Sequence, residues 1–344
     1  MSWLTGDDSD EWSEYDERAV KVRPNRRGTR PRTKQRPSHP DAVPGFVIAV
    51  DRGRYTVVLG DGREDGTTVT ATAARELGRG AIVTGDHVHL VGDVSGAAGT
   101  LARIVRVEPR TTLLRRSADD TDAVERIIVA NADRMLIVVA AADPEPRPRL
   151  VDRYLVAAVD AGIEPILVMT KTDLADPEPF LATFAGLGLR VVRSRQDAPP
   201  LDELAGLIRD HVVVAVGHSG VGKSTLVNAL VPDAGRATGA VNAVTGRGRH
   251  TSSSTVAYRL GTGWIIDTPG VRSFGLGHVD PANVLRGFPD LEPIAEDCPR
   301  GCTHAADEPE CALNEAVAAG TAPAARVDSL QRLLAVLQQR GQQD

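Results

Sequence analysis

Gly217-His218-Ser219-Gly220-Val221-Gly222-Lys223-Ser224-Thr225 follows an apolar run from Val212 to Val216 and leads into Leu226-Val227-Asn228-Ala229-Leu230. This is strand, glycine-rich turn and helix with the spacing G-x4-G-K-S. The glycines lack a Cβ and tolerate positive φ, so the backbone can close around a phosphate. The N–H groups of the turn and of the helix start then face the anion, with the helix dipole adding to the attraction. Lys223 is placed to reach the β- and γ-phosphates, and the Ser224 hydroxyl to ligate Mg²⁺. The stretch predicts a nucleoside triphosphate site built from residues 217–225. A glycine-rich turn that binds nothing is the bland alternative.

Around it, residues 124–230 alternate strand and helix. Met135-Leu136-Ile137-Val138-Val139-Ala140 is a continuous apolar run, as a buried parallel strand requires. A helix is expected over 150–158, and further strands over 165–169, 190–193 and 212–216. The pattern predicts a doubly wound α/β domain with its ligand at the carboxyl ends of the strands.

Thr170-Lys171-Thr172-Asp173 ends the strand over 165–169 and has the form of a guanine-recognition motif. The Asp173 carboxylate can accept from guanine N1–H and the 2-amino group, a pair of donors that adenine lacks. Hydrogen bonds to a charged group contribute about 1.5–3 kcal/mol each, enough for strong discrimination. The Lys171 stem can lie along the purine face. Ser194, after the next strand, is a candidate second contact to the base.

Asp267-Thr268-Pro269-Gly270 follows Trp264-Ile265-Ile266. Asp267 is expected to hold Mg²⁺ through water, and the Gly270 N–H to sense the γ-phosphate. The loop Thr245-Gly246-Arg247-Gly248-Arg249-His250-Thr251-Ser252-Ser253-Ser254-Thr255 has the composition of a mobile switch, with Thr251 or Ser252 available to the metal; a plain polar surface loop is the alternative. Asp173 precedes Gly217, the reverse of the usual GTPase order. Only convergence at one sheet edge is required, so the chemistry survives. The switch at Asp267 then runs straight into the C-terminal segment.

Residues 45–116 read at period two. Short strands are expected at 46–50, 55–59, 67–70, 86–91 and 101–107, with Arg52-Gly53 and Asp61-Gly62 as turn dipeptides. Five strands in about seventy residues suggest an OB-fold barrel. Phe46 and Tyr55 are its only aromatics, so base stacking would be weak. Contact with RNA backbone through Arg103, Arg106, Arg110, Arg115 and Arg116 fits better, and a purely structural barrel is the other reading. Residues 1–40 carry an acidic run and then a basic, proline-bearing one. Too little apolar surface is present to offset ordering entropy, so a disordered charged tail is expected, either solvated or RNA-contacting.

Cys298-Pro299-Arg300-Gly301-Cys302-Thr303-His304 and Cys311 give three thiols and an imidazole, and the chain has no other cysteine. A Cys₃His set suits structural, tetrahedral Zn²⁺. Leu330, Leu333, Leu334 and Leu337 share one face of a terminal helix, expected to pack on its own domain, with a ribosomal contact as the other use. The 344 residues are 42% hydrophobic and 25% charged, with a formal net charge of −6. These are the values of an ordinary soluble protein, and they disfavour one that coats nucleic acid with its whole surface. An acidic start and the lack of a long apolar stretch predict no signal peptide, no membrane span and a cytoplasmic location.

The combination of these motifs resembles the ribosome small-subunit-dependent GTPase A family. The matching residues are Asn131-Ala132-Asp133, Asp152-Arg153-Tyr154-Leu155, Thr170-Lys171-Thr172-Asp173, 217–225, Arg249-His250-Thr251, Asp267-Thr268-Pro269-Gly270-Val271-Arg272 and the Cys/His cluster. The likeness covers about 45–335. It implies a circularly permuted P-loop GTPase domain (117–279) between an OB-fold barrel (41–116) and a small zinc-binding helical domain (280–344), after the tail (1–40). It also implies hydrolysis of GTP to GDP and phosphate in late maturation of the 30S ribosomal subunit, by a monomer that binds rRNA and is stimulated by the subunit. Family members space the metal ligands C-x4-C-x-H-x5-C; here the first gap is one residue shorter and the last one longer. Val271 stands where many GTPases place a water-orienting glutamine. His250 is therefore the candidate to position water, with an RNA contact as its other role. The alternatives are an RNA-binding factor whose affinity GTP sets, and a P-loop ATPase or small-molecule kinase.

Overall fold

A computed structural model of the chain describes residues 39–62, 66–78, 82–117, 125–232, 255–268, 274 and 276–338. The expectations for the tail, for the loop over 245–254 and for Gly270 therefore lie outside the described residues, apart from His39 and Pro40.

The period-two segment forms β1 (Val43–Asp51), β2 (Arg54–Leu59), β3 (Thr68–Ala73), β4 (His87–Gly92) and β5 (Ala102–Val107). They pair in the order β1-β2-β3-β5-β4, and β4 returns to β1, which closes a barrel. Only β3 and β5 run parallel. This is an OB-like barrel. Alternation decides what fills it: Val47, Tyr55, Val57, Val69, Ala71, Val88, Leu90, Ala102 and Ile104 point inward and are buried. Arg52 and Gly53 both have positive φ, as a two-residue hairpin turn between twisted strands demands.

A two-stranded ribbon follows, β6 (Leu113–Ser117) with β7 (Glu125–Ala130). The sequence reading assigned no strands there. The apolar stretches are short and arginines interrupt them, so neither period is legible.

The α/β part has strands β8 (Arg134–Ala140), β9 (Glu164–Thr170), β10 (Arg190–Arg193), β11 (Val212–Val216), β12 (Val256–Leu260) and β13 (Gly263–Asp267). Their order is β10-β9-β8-β11-β13-β12, parallel except for β12 at its end. β12 also meets β1 at Val256 opposite Ala49, so barrel and α/β sheet are joined through main-chain pairing. Helices α1 (Pro148–Asp160), α2 (Glu178–Ala182), α3 (Leu201–Ile208) and α4 (Lys223–Leu230) connect these strands. Pro148 opens α1, where its missing N–H costs no bond.

Each central strand is buried on both faces. Met135, Ile137, Leu167, Met169, Val214 and Val216 pack one side with α1, while Leu136, Val138, Ile166, Val168, Val213 and Ala215 pack the other with α3 and α4. Full burial of such a side chain stabilises by about 1.5–3 kcal/mol, so the two layers dominate stability.

Beyond the sheet come α5 (Pro281–Arg286), α6 (Glu292–Ala295), α7 (Ala312–Ala318) and α8 (Ala324–Gln338). Asp280 caps α5 by accepting from the Ala282 N–H at 2.9 Å. In α8, Leu330, Leu333 and Leu334 are buried and Leu337 is half-buried. Their face packs chiefly on α1 and the 185–187 turn of the α/β part, besides α5 and α7. The helix packs on its own segment, as expected, and on α1 as well, which presents Leu155 and Tyr154 to the same core. No helix among the described residues is long and apolar enough to cross a membrane.

Candidate functional site

β11 delivers the chain to Gly217 and α4 carries it away, so residues 217–222 form a turn at the carboxyl edge of the sheet. A Cβ at Gly217 would lie 2.5 Å from the Val138 carbonyl oxygen, a separation no side chain tolerates. Gly220 and Gly222 have φ of 85° and 90°. No side chain caps α4, which leaves the N–H groups of its first turn to a ligand. Ser219, Gly220, Ser224 and Thr225 are exposed, Val221 is buried, and the half-buried His218 lies with Nδ1 2.9 Å from the Ser219 carbonyl.

The guanine motif arrives at this turn. Thr170 Oγ1 donates to the Val221 carbonyl at 2.5 Å and lies 3.2 Å from that of Val139. Two segments some fifty residues apart in sequence are thereby tied together, the earlier one holding the later. Lys171 has φ 55°, and its ammonium donates to the Asp143 carbonyl. Asp173 is exposed, and its Oδ1 accepts from the Gln196 N–H at 3.0 Å. Ser194 is buried: its N–H donates to the Met169 carbonyl at 2.7 Å, and its own carbonyl accepts from the Thr172 N–H and hydroxyl, each at 3.3 Å. Ser194 thus tethers the motif's loop.

At the end of β13, Asp267 Oδ1 accepts from the Lys223 ammonium, and both side chains are buried. The Thr268 hydroxyl donates to the Ala215 carbonyl at 2.7 Å, fixing the chain as it leaves the sheet. Burial, and then the Asp267 charge, push the Tyr258 phenol up to about 12. Lys223 and Asp267 therefore occupy one edge of the sheet with the 170–173 loop, despite the inverted order. Among the other expected site residues, His250, Thr251, Ser252 and Gly270 lie outside the described residues. Sequence reasoning missed three contacts: Thr170 on Val221, Lys171 on Asp143 and Gln196 on Asp173. All involve main-chain atoms, which residue types do not reveal.

The second site is compact. One ligand atom each of Cys298, Cys302, His304 and Cys311 lies within 4.8 Å of the others. His304 Nδ1 is 3.5 Å from the sulfurs of Cys298 and Cys302 and 3.9 Å from that of Cys311. Tetrahedral zinc with bonds near 2.1–2.3 Å places its ligands about 3.5–3.8 Å apart, so the donor set fits. The shortened first gap and lengthened last gap still close the ring, helped by positive φ at Gly301 and His304. Main-chain N–H groups of His304 and Ala312 point at the Cys302 and Cys298 sulfurs at 3.4 and 3.3 Å. Without metal, burial pushes the Cys302 thiol up to about 12 and lowers the His304 pKa.

On the barrel, Arg103 and Arg106 are exposed, whereas Arg110 is engaged by the fully buried Asp86 at 2.6 and 2.7 Å. Freeing Arg110 from Asp86 would leave that buried carboxylate without its guanidinium. The Arg116 side chain lies outside the described residues.

A P-loop that follows its guanine motif, in a sheet of this order behind an OB-like barrel, defines a circularly permuted GTPase. Residues 107–277 match the RsgA GTPase family. A protein of Chromohalobacter salexigens named small ribosomal subunit biogenesis GTPase RsgA is 40% identical over 263 residues, 74% of each chain. One of Pseudomonas syringae pv. tomato with the same name is 37% identical over 304 residues, 86% of each chain. The crystal structure of YloQ, a circularly permuted GTPase, superposes with a TM-score of 0.62 at 24% identity, over 87% of this chain and 96% of the other. YjeQ from Thermotoga maritima gives 0.61 at 23%, over 86% and 99%. The chain belongs to the RsgA GTPase family.

Proposed function

We propose that this GTPase works on the small ribosomal subunit during its biogenesis, in the cytoplasm and as a single chain, and couples rRNA binding to its nucleotide state. The names of the relatives support the ribosomal target. The observation that carries the nucleotide reading is the Thr170–Val221 bond, which brings the loop bearing Asp173 to the phosphate loop. The three parts expected from sequence, 41–116, 117–279 and 280–344, serve as barrel, motor and metal-stabilised grip.

In this reading the N–H groups of 217–225 cradle the β- and γ-phosphates. Lys223 would leave Asp267 for the phosphates, and Asp267 and Ser224 would then hold Mg²⁺, which when bound would supply neutralisation of the charge that develops on the phosphoryl oxygens. Asp173 selects guanine, with Lys171 along the ring and Ser194 holding their loop. The Gly270 N–H reads the γ-phosphate, and Thr251 or Ser252 completes the metal shell. With Val271 apolar, His250 positions the attacking water in the complex with the subunit. Cys298, Cys302, His304 and Cys311 hold a structural Zn²⁺ that shapes the C-terminal grip.

Co-sedimentation with separated ribosomal subunits tests the target. The chain is expected to pellet with small subunits in a non-hydrolysable GTP analogue and to leave them in GDP. Equal pelleting with both subunits, or in both nucleotides, would count against the proposal.

A further inference from the structure

Asp152-Arg153-Tyr154 occupy one turn of α1 and take no part in the nucleotide chemistry above. Their side chains reach in two directions. Arg153 Nη2 donates to the Phe274 carbonyl at 2.8 Å, and the Tyr154 ring stands edge-on to the Phe274 ring with centroids 5.5 Å apart. Phe274 is fully buried. It lies a short step along the chain from Asp267, and Thr268 is already pinned to Ala215. Thr268 is thus fixed on β11 and Phe274 on α1.

On the other side, Asp152 Oδ1 accepts from Arg332 Nε of α8 at 3.0 Å. The Arg332 guanidinium also donates to the Thr183 carbonyl and lies over the Phe184 ring at 4.9 Å. Asp152 is buried, so this pair is not a screened surface contact. A rigid helix of 13 residues thus binds a segment leaving the nucleotide site with one residue and the C-terminal helix with its neighbour. Hydrophobic burial of Phe274 alone would not require a guanidinium on its carbonyl.

We propose that Arg153 and Tyr154 are positioning residues for GTP hydrolysis, acting through their hold on Phe274, and that the Asp152–Arg332 pair passes that setting to α8. The proposal rests on the nucleotide-site reading above. It makes α1 the element through which nucleotide state reaches the C-terminal domain.

Two measurements on the full-length chain test it. In steady-state hydrolysis with small subunits, Arg153→Ala is expected to lower kcat about tenfold while GDP affinity stays within about twofold, the split of a group that acts only on the reacting state. Wild-type kcat in Arg153→Ala would overturn the first half. By hydrogen exchange, residues 324–338 of the wild type are expected to exchange at rates that differ several-fold between GDP and a non-hydrolysable GTP analogue. Arg153→Ala and Arg332→Ala should erase the difference. Arg326→Ala, which loosens α8 from Asp290 without touching α1, should keep it. Equal exchange in both nucleotides in the wild type, or its erasure by Arg326→Ala as well, would overturn the second half. If Arg153→Ala fails to fold, Arg153→Lys decides the kcat arm and Arg332→Ala the exchange arm. Both nucleotides must protect 217–225; lack of that protection would sink the nucleotide site itself, and the proposal with it.

Discussion

Asp173 already has one oxygen fixed by a main-chain N–H, so the carboxylate that is proposed to meet the base has its orientation set. Asp173→Asn replaces one acceptor by an NH₂ that opposes the guanine donors. GTP binding is expected to weaken by about a hundredfold or more. Xanthosine triphosphate, with a carbonyl at C2, should gain relative to GTP. Competition against labelled GDP checks both, and unchanged selectivity would remove Asp173 from base recognition. Gly217→Ala drives a methyl into the Val138 carbonyl and is expected to cost about 1–3 kcal/mol of stability, read by denaturant unfolding. At this scale the sequence was informative about which residues meet: Lys223 lies at one sheet edge with the Asp173 loop, and Cys298, Cys302, His304 and Cys311 cluster. It was silent where the partner is a main-chain atom, as for Ser194. It was also silent where the partner is distant in sequence. Nothing in the run containing Arg110 points to Asp86, and only folding shows that this arginine is engaged.

Among the elements, α8 owes its seat to ion pairs as well as to leucines. Arg326 bonds Asp290 at 2.8 Å and lies over the Phe288 ring at 4.5 Å. Its hydrogen bonds hold the Asp290 carboxyl below the usual carboxylate range. A depressed carboxyl contributes stability that is complete above the ordinary pKa, near 4, and is lost as pH falls through the lowered value. The gap in Tm between wild type and Asp290→Asn is therefore expected to be constant above about pH 5 and to narrow below about pH 4. A gap that widens with acid would contradict this. The metal knuckle before α7 is the second element-scale support. Because the chain's three cysteines all belong to it, a thiol reagent should find none reactive in the metal-loaded protein and all three after chelation, with a fall in Tm that added Zn²⁺ reverses. Strands and helices with a clean period were legible in advance; β6 and β7 were not, because their apolar runs are too short and too often broken by arginine.

For the whole molecule, one sheet edge links barrel and motor. The Trp264 indole N–H donates to the Gly62 carbonyl at 2.7 Å, and its ring lies 5.0 Å from that of Phe46, so a β13 residue is packed into the barrel's base. β13 ends on Asp267, so the barrel is joined to the strand that carries the carboxylate paired with Lys223. The inverted motif order, visible in sequence, becomes intelligible here: Asp173, Lys223 and Asp267 come from three strands that end on one edge. In the proposed function, their convergence lets a partner on the barrel and the C-terminal helices govern hydrolysis. Single-turnover GTP hydrolysis with and without purified small ribosomal subunits tests this most directly. Stimulation of more than about tenfold by small subunits, with none from large subunits and none for ATP, is the predicted result. Stimulation below that, or equal turnover of ATP, would contradict it.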